Sequence, residues 1–175
     1  SSVGVSKVKS SRDWKQAVVL ASRFDHKIIV ERAVIGREIE CAVLGNHELV
    51  VATPGEVIPN HEFYSYEVKY LDENGARIEI PAQLTREQVR AVQTLAKQVF
   101  QTLECAGLAR VDFFLTAHGK WYVNEINTIP GFTSISMYPK MFAASGIAYA
   151  ELIDRVLTLA MERFDADQQL QTSRG

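Results

Sequence analysis

The sequence predicts an α+β fold in which an antiparallel sheet is flanked by helices. Apolar and polar residues alternate over Ala109–Leu115 and Trp121–Asn127, on either side of a short polar loop, which is typical of a β-hairpin. Apolar residues also recur at helical spacing between Thr85 and Leu103 and between Leu152 and Ala160. Such amphipathic helices cover their apolar stripe by packing on a sheet.

The composition is that of a globular protein and excludes several functions. The chain has 175 residues, of which 47% are hydrophobic and 23% charged, and its formal net charge is −2. We therefore expect no nucleic-acid partner, and no membrane partner because no run approaches the roughly 18 apolar residues of a span. Cys41 and Cys105 match no metal-ligand spacing and are expected to be reduced thiols of a cytoplasmic protein.

The first third of the chain is expected to contain one helix and several strands. Ser10 and Asp13 have the spacing of a capping box, and helical periodicity runs from Trp14 to Phe24. The chain opens on Ser1 without a methionine, directly in a strand-like pattern, so we expect a fragment of a longer protein. Strands are predicted over Lys27–Val34, Glu38–Leu44, Leu49–Ala52 and Glu56–Ile58.

The second half of the chain contains clearer helix signals. Thr85 and Gln88 form a second capping box, and Gly107 is the expected terminator of that helix. Further helices are predicted over Ser136–Ser145 and Leu152–Ala160, followed by a disordered polar tail. The helix that begins after Thr85 has a predicted buried stripe of seven apolar residues: Val89, Val92, Leu95, Ala96, Val99, Phe100 and Leu103.

The segment from Pro59 to Glu79 has no regular period and is rich in aromatic residues such as Phe63, Tyr66 and Tyr70. A long irregular segment in a compact domain is usually either a functional loop or a surface excursion. The aromatic content favours a functional lid.

The length of the loop between the two hairpin strands predicts which of their residues face each other. If Thr116 pairs with Trp121, Asp112 faces Glu125 and Arg110 faces Asn127. One face then carries Arg110, Asp112, Phe114, Val123, Glu125 and Asn127, and the other, apolar face carries Val111, Phe113, Leu115, Tyr122 and Ile126.

Two facing carboxylates need a positive charge between them, because their β-carbons lie about 4.5–5.5 Å apart. A divalent cation would supply it, and the oxygen donors of Asp112, Glu125 and Asn127 suit magnesium. Alternatively, Arg110 alone balances the carboxylates in a surface ion network. The turn from Thr128 to Gly131 favours the metal site, since it would bring backbone donors beside it.

At this point the motifs resemble a known family. Gly107–Asp112 and Asn124–Thr133 resemble the C-terminal signature of D-alanine–D-alanine ligases, members of the ATP-grasp superfamily, and Ile35–Gly45 is similar to a further family segment. Ser1–Val8 resembles the family's glycine-containing phosphate loop. The resemblance implies part of the smaller central ATP-grasp subdomain over 1–33, a catalytic domain over 34–164 with a lid over 59–79, and a disordered tail over 165–175.

The resemblance also implies the roles of individual residues. Asp112, Glu125 and Asn127 would hold two Mg²⁺ ions, for which Mn²⁺ can substitute. Lys69 would reach the γ-phosphate of ATP and Glu38 the ribose. The implied nucleotide contacts are Glu31, Arg32, Ala33, Val34, Glu38, Phe63, Lys69, Phe114, Asn124 and Glu125.

The implied substrate contacts are fewer. Arg110 and the backbone of Gly131 would stabilise an oxyanion, and Tyr70 on the lid would hydrogen-bond to Ser1 and close the site. Ser136 would meet the carboxylate of the second D-alanine, or would serve only as a helix cap, and the two roles are compatible. Three other polar residues, His118, Glu104 and Glu151, are expected to be inert or solvated.

The implied reaction joins two D-alanine molecules at the expense of ATP, through a D-alanyl phosphate, for peptidoglycan synthesis by a cytoplasmic homodimer. The fragment is expected to be inactive alone, because the family's N-terminal domain is missing. Rival interpretations are an ATP-grasp ligase for D-lactate or another pair of substrates, a non-catalytic nucleotide-binding module, and a purely structural domain. The Tyr70 lid favours D-alanine over D-lactate as the second substrate.

Overall fold

The structure, a computed structural model, describes residues 3–59 and 76–170. Most of the predicted lid lies outside these residues, and so do four of the predicted site residues: Ser1, Phe63, Lys69 and Tyr70. The chain divides into two compact units. The first comprises Ser1–Ile35 and Ile58–Arg77, and the second comprises Gly36–Val57 and Ile78–Gly175.

The described residues form six strands and four helices. The strands are β1 (Arg37–Gly45), β2 (Val50–Val51), β3 (Gly55–Pro59), β4 (Ala76–Glu79), β5 (Gly107–Leu115) and β6 (Trp121–Asn127). The helices are α1 (Trp14–Ala21), α2 (Arg86–Thr102), α3 (Met137–Ala144) and α4 (Tyr149–Gln168).

The strands form one sheet in the order β4-β3-β1-β5-β6, and β2 pairs with the end of β1. Strand β1 is antiparallel to β2, β3 and β5, and β5 is antiparallel to β6. The longest pairing joins β1 and β5, from Arg37 opposite Leu115 to Gly45 opposite Gly107. The predicted α+β class with an antiparallel sheet flanked by helices is confirmed.

One face of the sheet is apolar and packs against α2. Alternate residues of β1 and β5 point to this face because strand side chains alternate in direction. Thr85 caps α2 as predicted: its Oγ1 accepts from the Gln88 N–H at 3.2 Å, and the Gln88 side chain accepts from the Thr85 N–H at 2.9 Å. The buried core includes Ile39, Cys41, Val43, Val92, Ala96, Phe100, Val111 and Phe113.

Helices α3 and α4 contact the sheet, α3 through β1 and α4 through both β1 and β5. The buried Tyr138 donates its hydroxyl to the Val43 carbonyl at 2.9 Å, and Asn46 donates to the Leu159 carbonyl at 2.9 Å. These bonds hold both helices toward the Gly45 end of β1. Ala42 and Leu44, which alternate with the α2-facing residues, are accordingly buried.

Two predictions for the first unit are wrong. Residues 27–34 form no strand, because no described strand pairs with their backbone, and Ile29 and Val30 are mainly exposed. The Asp13 carboxylate accepts from the Ser10 N–H and hydroxyl, so half of the capping box is present. The helix nevertheless begins only at Trp14, since residues 11–13 form a turn.

Two helix ends also differ from the prediction. Helix α2 ends at Thr102, so Leu103 leaves the buried stripe and is 56% exposed. Glu104, with φ 51°, takes the left-handed position that was expected of Gly107, and Gly107 begins β5. Helix α4 continues through Gln168, so residues 165–168 are helical, contrary to the prediction of a disordered tail from 165. Charged residues there form pairs one turn apart, such as Arg163 with Asp167.

The contrast between Phe100 and Leu103 yields a prediction. We expect Phe100→Ala to lower the free energy of unfolding by about 3–5 kcal/mol, because it opens a cavity in the core. Leu103→Ala, the matched control on the same helix end, is expected to change it by less than about 0.5 kcal/mol. Urea denaturation followed by circular dichroism measures both, and equal losses would contradict the observed end of the stripe.

Candidate active site

The β5–β6 hairpin carries the predicted charged residues, and its register is unusual. Asp112 lies opposite Glu125 and Arg110 opposite Asn127, as predicted. The hairpin closes differently, however: Trp121 pairs with Leu115 rather than with Thr116, and the register shifts between Asp112 and Phe113. This bulge places Asn124 as the extra residue of β6 and restores the predicted pairing at the charged end.

Because of the bulge, two residues of β6 near the loop lie on the opposite face of the hairpin from the one predicted. Directly opposed residues share a face, so Tyr122 shares the face of its partner Phe114, and Val123 shares that of Phe113. The prediction had these two β6 residues reversed, since it assumed an unbroken alternation. Trp121 instead packs on the apolar face, edge-on to Phe113 at a centroid distance of 6.1 Å.

Three carboxylates lie side by side on the adjacent strands β1, β5 and β6. In β1, Glu40 is opposite Asp112, which in turn is opposite Glu125. Arg110, two residues from Asp112 along β5, donates from Nε to Asp112 Oδ1 and from Nη2 to Oδ2, both at 2.7 Å. Its Nε also lies 3.2 Å from Glu40 Oε2. We call Glu40, Arg110, Asp112 and Glu125 the charged row.

Arg110 is a permanent cation in this row. Burial acts to lower the pKa of its guanidinium, but the hydrogen bonds to Asp112 and the charges of Glu40, Asp112 and Glu125 outweigh burial and raise that pKa above its ordinary value. The Asp112 side chain is only 12% exposed, so this ion pair is largely shielded from water. Removal of Arg110 would therefore leave the shielded Asp112 carboxylate without this ion pair, which is costly.

The predicted metal ligands supply only oxygen donors, which fits a hard divalent cation. Asn127 Oδ1 accepts from the Ile129 N–H at 3.0 Å, and a carbonyl oxygen retains a second lone pair after one such bond. Across residues 3–59 and 76–170, no three His, Cys, Asp or Glu side chains are grouped to hold a metal. The predicted set has two such side chains, Asp112 and Glu125, and the Asp112 oxygens point at Arg110.

The loop after β6 is fixed by Ser136 and by aromatic side chains. Ser136 stands at the N-cap of α3 but makes no capping bond with its side chain. Its hydroxyl instead accepts from the Thr133 N–H at 3.2 Å and lies 2.8 Å from the Thr133 hydroxyl. A Cβ on Gly131 would lie 3.0 Å from Ser136 Oγ, so glycine permits this close approach.

Phe132 in the same loop is held from two sides. Tyr149 donates its hydroxyl to the Phe132 carbonyl at 2.6 Å. The rings of Tyr138 and Tyr149 lie 5.6 and 5.9 Å from the Phe132 ring. Helices α3 and α4 thus hold the backbone next to Gly131, a contribution that the sequence pattern did not reveal.

The predicted nucleotide contacts fall into two groups. Glu31, Arg32, Ala33 and Val34 belong to the first unit, in a stretch without regular structure. Glu38 and Phe114 are opposite each other in β1 and β5 and share the face of the charged row, and the exposed Asn124 is the bulge residue. The structure therefore brings Glu38 and Phe114 together with the charged row.

Sequence reasoning missed Glu40. The alternation Glu38-x-Glu40 within a strand places both carboxylates on one face, and this signal was available. The sequence did not show that β5 pairs with β1 and places Asp112 opposite Glu40. These two strands are distant in sequence, and their register depends on tertiary pairing.

The antiparallel sheet flanked by helices matches the C-terminal domain of D-alanine–D-alanine ligases, which has the ATP-grasp fold. The family model described as the D-ala D-ala ligase C-terminus matches residues 1–158. The chain therefore belongs to the family of D-alanine–D-alanine ligase C-terminal domains, as the sequence motifs predicted.

Individual relatives agree with this assignment. The chain is 54% identical to D-alanine–D-alanine ligase A of Salmonella typhimurium over 99% of its own length and 48% of the relative's. It is 53% identical to D-alanine–D-alanine ligase of Oceanobacillus iheyensis over 100% of its length and 48% of the relative's. The chain thus spans about half the length of the curated relatives it matches.

Solved structures show the same similarity. The D-alanine–D-alanine ligase from Coxiella burnetii has a TM-score of 0.85 and 41% identity, covering 97% of this chain and 44% of that one. The VanG D-Ala:D-Ser ligase from Enterococcus faecalis has a TM-score of 0.83 and 37% identity, covering 91% of this chain and 46% of that one.

The contact between Gly131 and Ser136 gives a second prediction. We expect Gly131→Ala to lower the free energy of unfolding by about 1–3 kcal/mol, because the new methyl displaces the Ser136 hydroxyl from Thr133. In a Ser136→Ala background that displacement no longer matters. A double-mutant cycle by urea denaturation should therefore show a coupling of at least about 0.5 kcal/mol, and additive effects would contradict it.

Proposed function

We propose that the complete protein to which these residues belong is an ATP-dependent ligase that joins two D-alanine molecules into D-alanyl-D-alanine. The observation that carries the proposal is the charged row on β1, β5 and β6, in a chain of the D-alanine–D-alanine ligase family. The product would serve peptidoglycan synthesis, and the enzyme would be a cytoplasmic homodimer.

A carboxylate is a poor electrophile, and phosphoryl transfer to it creates a reactive acyl phosphate. Such transfer depends on positioning and charge neutralisation more than on covalent help from the protein. Asp112, Glu125 and Asn127 would hold two Mg²⁺ ions, with Mn²⁺ as a substitute, and these ions would neutralise the phosphate oxygens of ATP. Arg110 bonds to both oxygens of the Asp112 carboxylate.

Arg110 would stabilise the negative charge that develops on the carbonyl oxygen when the second D-alanine attacks the acyl phosphate. Its guanidinium stays protonated through the pH range of any assay, because the pKa of an arginine side chain lies well above that range and the neighbouring carboxylates raise it further. An oxyanion is stabilised most by donors that are already in place. Hydrogen bonds to Asp112 hold this donor, and Tyr149 and Ser136 hold the loop that contains Gly131, the second proposed donor.

The second D-alanine would bind by its carboxylate at the start of α3. The first backbone N–H groups of a helix have no partner within the helix, and they bind anions well. The Ser136 side chain makes no hydrogen bond to these groups. This supports the substrate role of Ser136 over a role as a cap alone.

The remaining roles rest on the family resemblance. Glu31–Val34 would line the adenine site, and Glu38 would bind the ribose. Lys69 would contact the γ-phosphate, and Tyr70 would hydrogen-bond to Ser1 and close a lid over the site. A lid is required by the chemistry, since an acyl phosphate hydrolyses in contact with water.

A second candidate function is ligation of D-alanine to D-serine. It is favoured by the similarity to the VanG D-Ala:D-Ser ligase, whose TM-score is close to that of the Coxiella burnetii enzyme. Both reactions would use the same charged row, and they would differ only in the pocket for the second substrate.

Substrate preference is tested with the complete protein, ATP and D-alanine, to which D-serine or D-lactate is added. We expect D-alanyl-D-alanine as the main product at neutral pH, because the Tyr70 lid resembles that of the dipeptide-forming enzymes. Mass spectrometry of the products measures the ratio. Main formation of D-alanyl-D-serine would support the second candidate, and equal use of D-lactate would show the lid argument to be wrong.

The role of Asp112 is tested by Asp112→Asn in the complete protein. We expect Mg²⁺-dependent phosphate release in the presence of D-alanine to fall at least about 100-fold, because a metal ligand contributes at least as much as its supporting residues do. Asp154→Asn on the exposed side of α4 makes the same chemical change and should leave the rate unaltered. Undiminished turnover by Asp112→Asn would contradict the proposed site.

A further inference from the structure

Glu40 is the member of the charged row to which the proposed reaction assigns no role. We propose that Glu40 is a positioning residue, which holds the Arg110 guanidinium in place when Asp112 binds a divalent cation. This inference rests on the proposed function, since it assumes that Asp112 is a metal ligand.

The geometry already places Arg110 between the two carboxylates. Its Nε donates to Asp112 Oδ1 at 2.7 Å and lies 3.2 Å from Glu40 Oε2. Both carboxylates stand opposite each other in the β1–β5 register, and their side chains share one face. The Arg110 and Glu40 side chains are 19% and 12% exposed, so water screens their interaction little. A short shift would bring the guanidinium fully onto Glu40.

The charges explain why such a partner is needed. Arg110 engages both oxygens of Asp112, which are the atoms that a metal would take. A divalent cation at Asp112 repels the guanidinium, so Arg110 has to give up at least one of these bonds. Glu125 is itself a proposed metal ligand. Glu40 is therefore the carboxylate of the charged row that can remain paired with the Arg110 guanidinium.

The charge of the whole row supports this division. Three carboxylates face one guanidinium, so the row without a metal carries an excess of negative charge. Without the charge of Glu40, the metal and Arg110 would compete for Asp112 and Glu125.

The inference is tested by metal binding, which is independent of turnover. The complete protein is titrated with Mn²⁺ at a fixed ADP concentration, and free Mn²⁺ is followed by electron paramagnetic resonance against an ADP blank without protein. We expect Glu40→Gln to weaken Mn²⁺ binding about tenfold, the change that corresponds to one charge-assisted hydrogen bond. Glu48→Gln, in the exposed turn after β1, removes the same charge and should leave binding unchanged.

A merely structural or long-range effect of Glu40 is separated by two further variants. Glu40→Asp keeps the charge but shortens the reach to Arg110, so it should weaken binding as well, whereas a long-range charge effect would leave it normal. In an Arg110→Met background, Glu40→Gln should change Mn²⁺ affinity less than about twofold, because its effect passes through Arg110. Thermal unfolding by circular dichroism verifies that each variant is folded.

The outcomes are distinct. Normal Mn²⁺ binding by Glu40→Gln, or an equal loss with and without Arg110, would overturn the positioning role while the proposed function stands. Should the wild type bind no more Mn²⁺ than Asp112→Asn does, the metal site of the proposed function fails, and the role of Glu40 fails with it.

Discussion

The register of β1, β5 and β6 is the constraint on which the candidate site depends, because it places three carboxylates side by side around one guanidinium. Glu40, Asp112 and Glu125 lie side by side on three adjacent strands, and Arg110 is the cation that lies among them. A slip of one residue in either pairing would turn the side chains of a strand to the opposite face. The site therefore exists only as long as β1, β5 and β6 keep their register.

The apolar face of the sheet maintains that register. Residues that alternate with the charged row, such as Ile39, Val111 and Phe113, are buried against α2. A slip would expose them, so the hydrophobic core fixes the position of the charges. Helices α3 and α4 add a second restraint, since Tyr138 bonds to β1 and Tyr149 bonds to the loop beside Gly131. Packing of the helices on the sheet thus positions both the charged row and the loop that contains Gly131.

Local patterns predicted much of this structure, and the failures have physical causes. The capping box at Thr85 and the pairing of Asp112 with Glu125 are as predicted, although the loop is one residue longer and the bulge at Asn124 compensates. A bulge is invisible to an argument that assumes strict alternation. Residues 27–34 have the composition of a strand but no described partner, and composition alone cannot supply one.

The sequence by itself determined the family, the fold class and the pairing of Asp112 with Glu125 in the hairpin. These depend on motifs and on residues close together along the chain. Only the tertiary structure decided that Glu40 belongs to the charged row and that Tyr149 holds Phe132. The physical reason is that these contacts depend on strand register and helix packing. Both result from burial of the whole apolar face and not from any local segment.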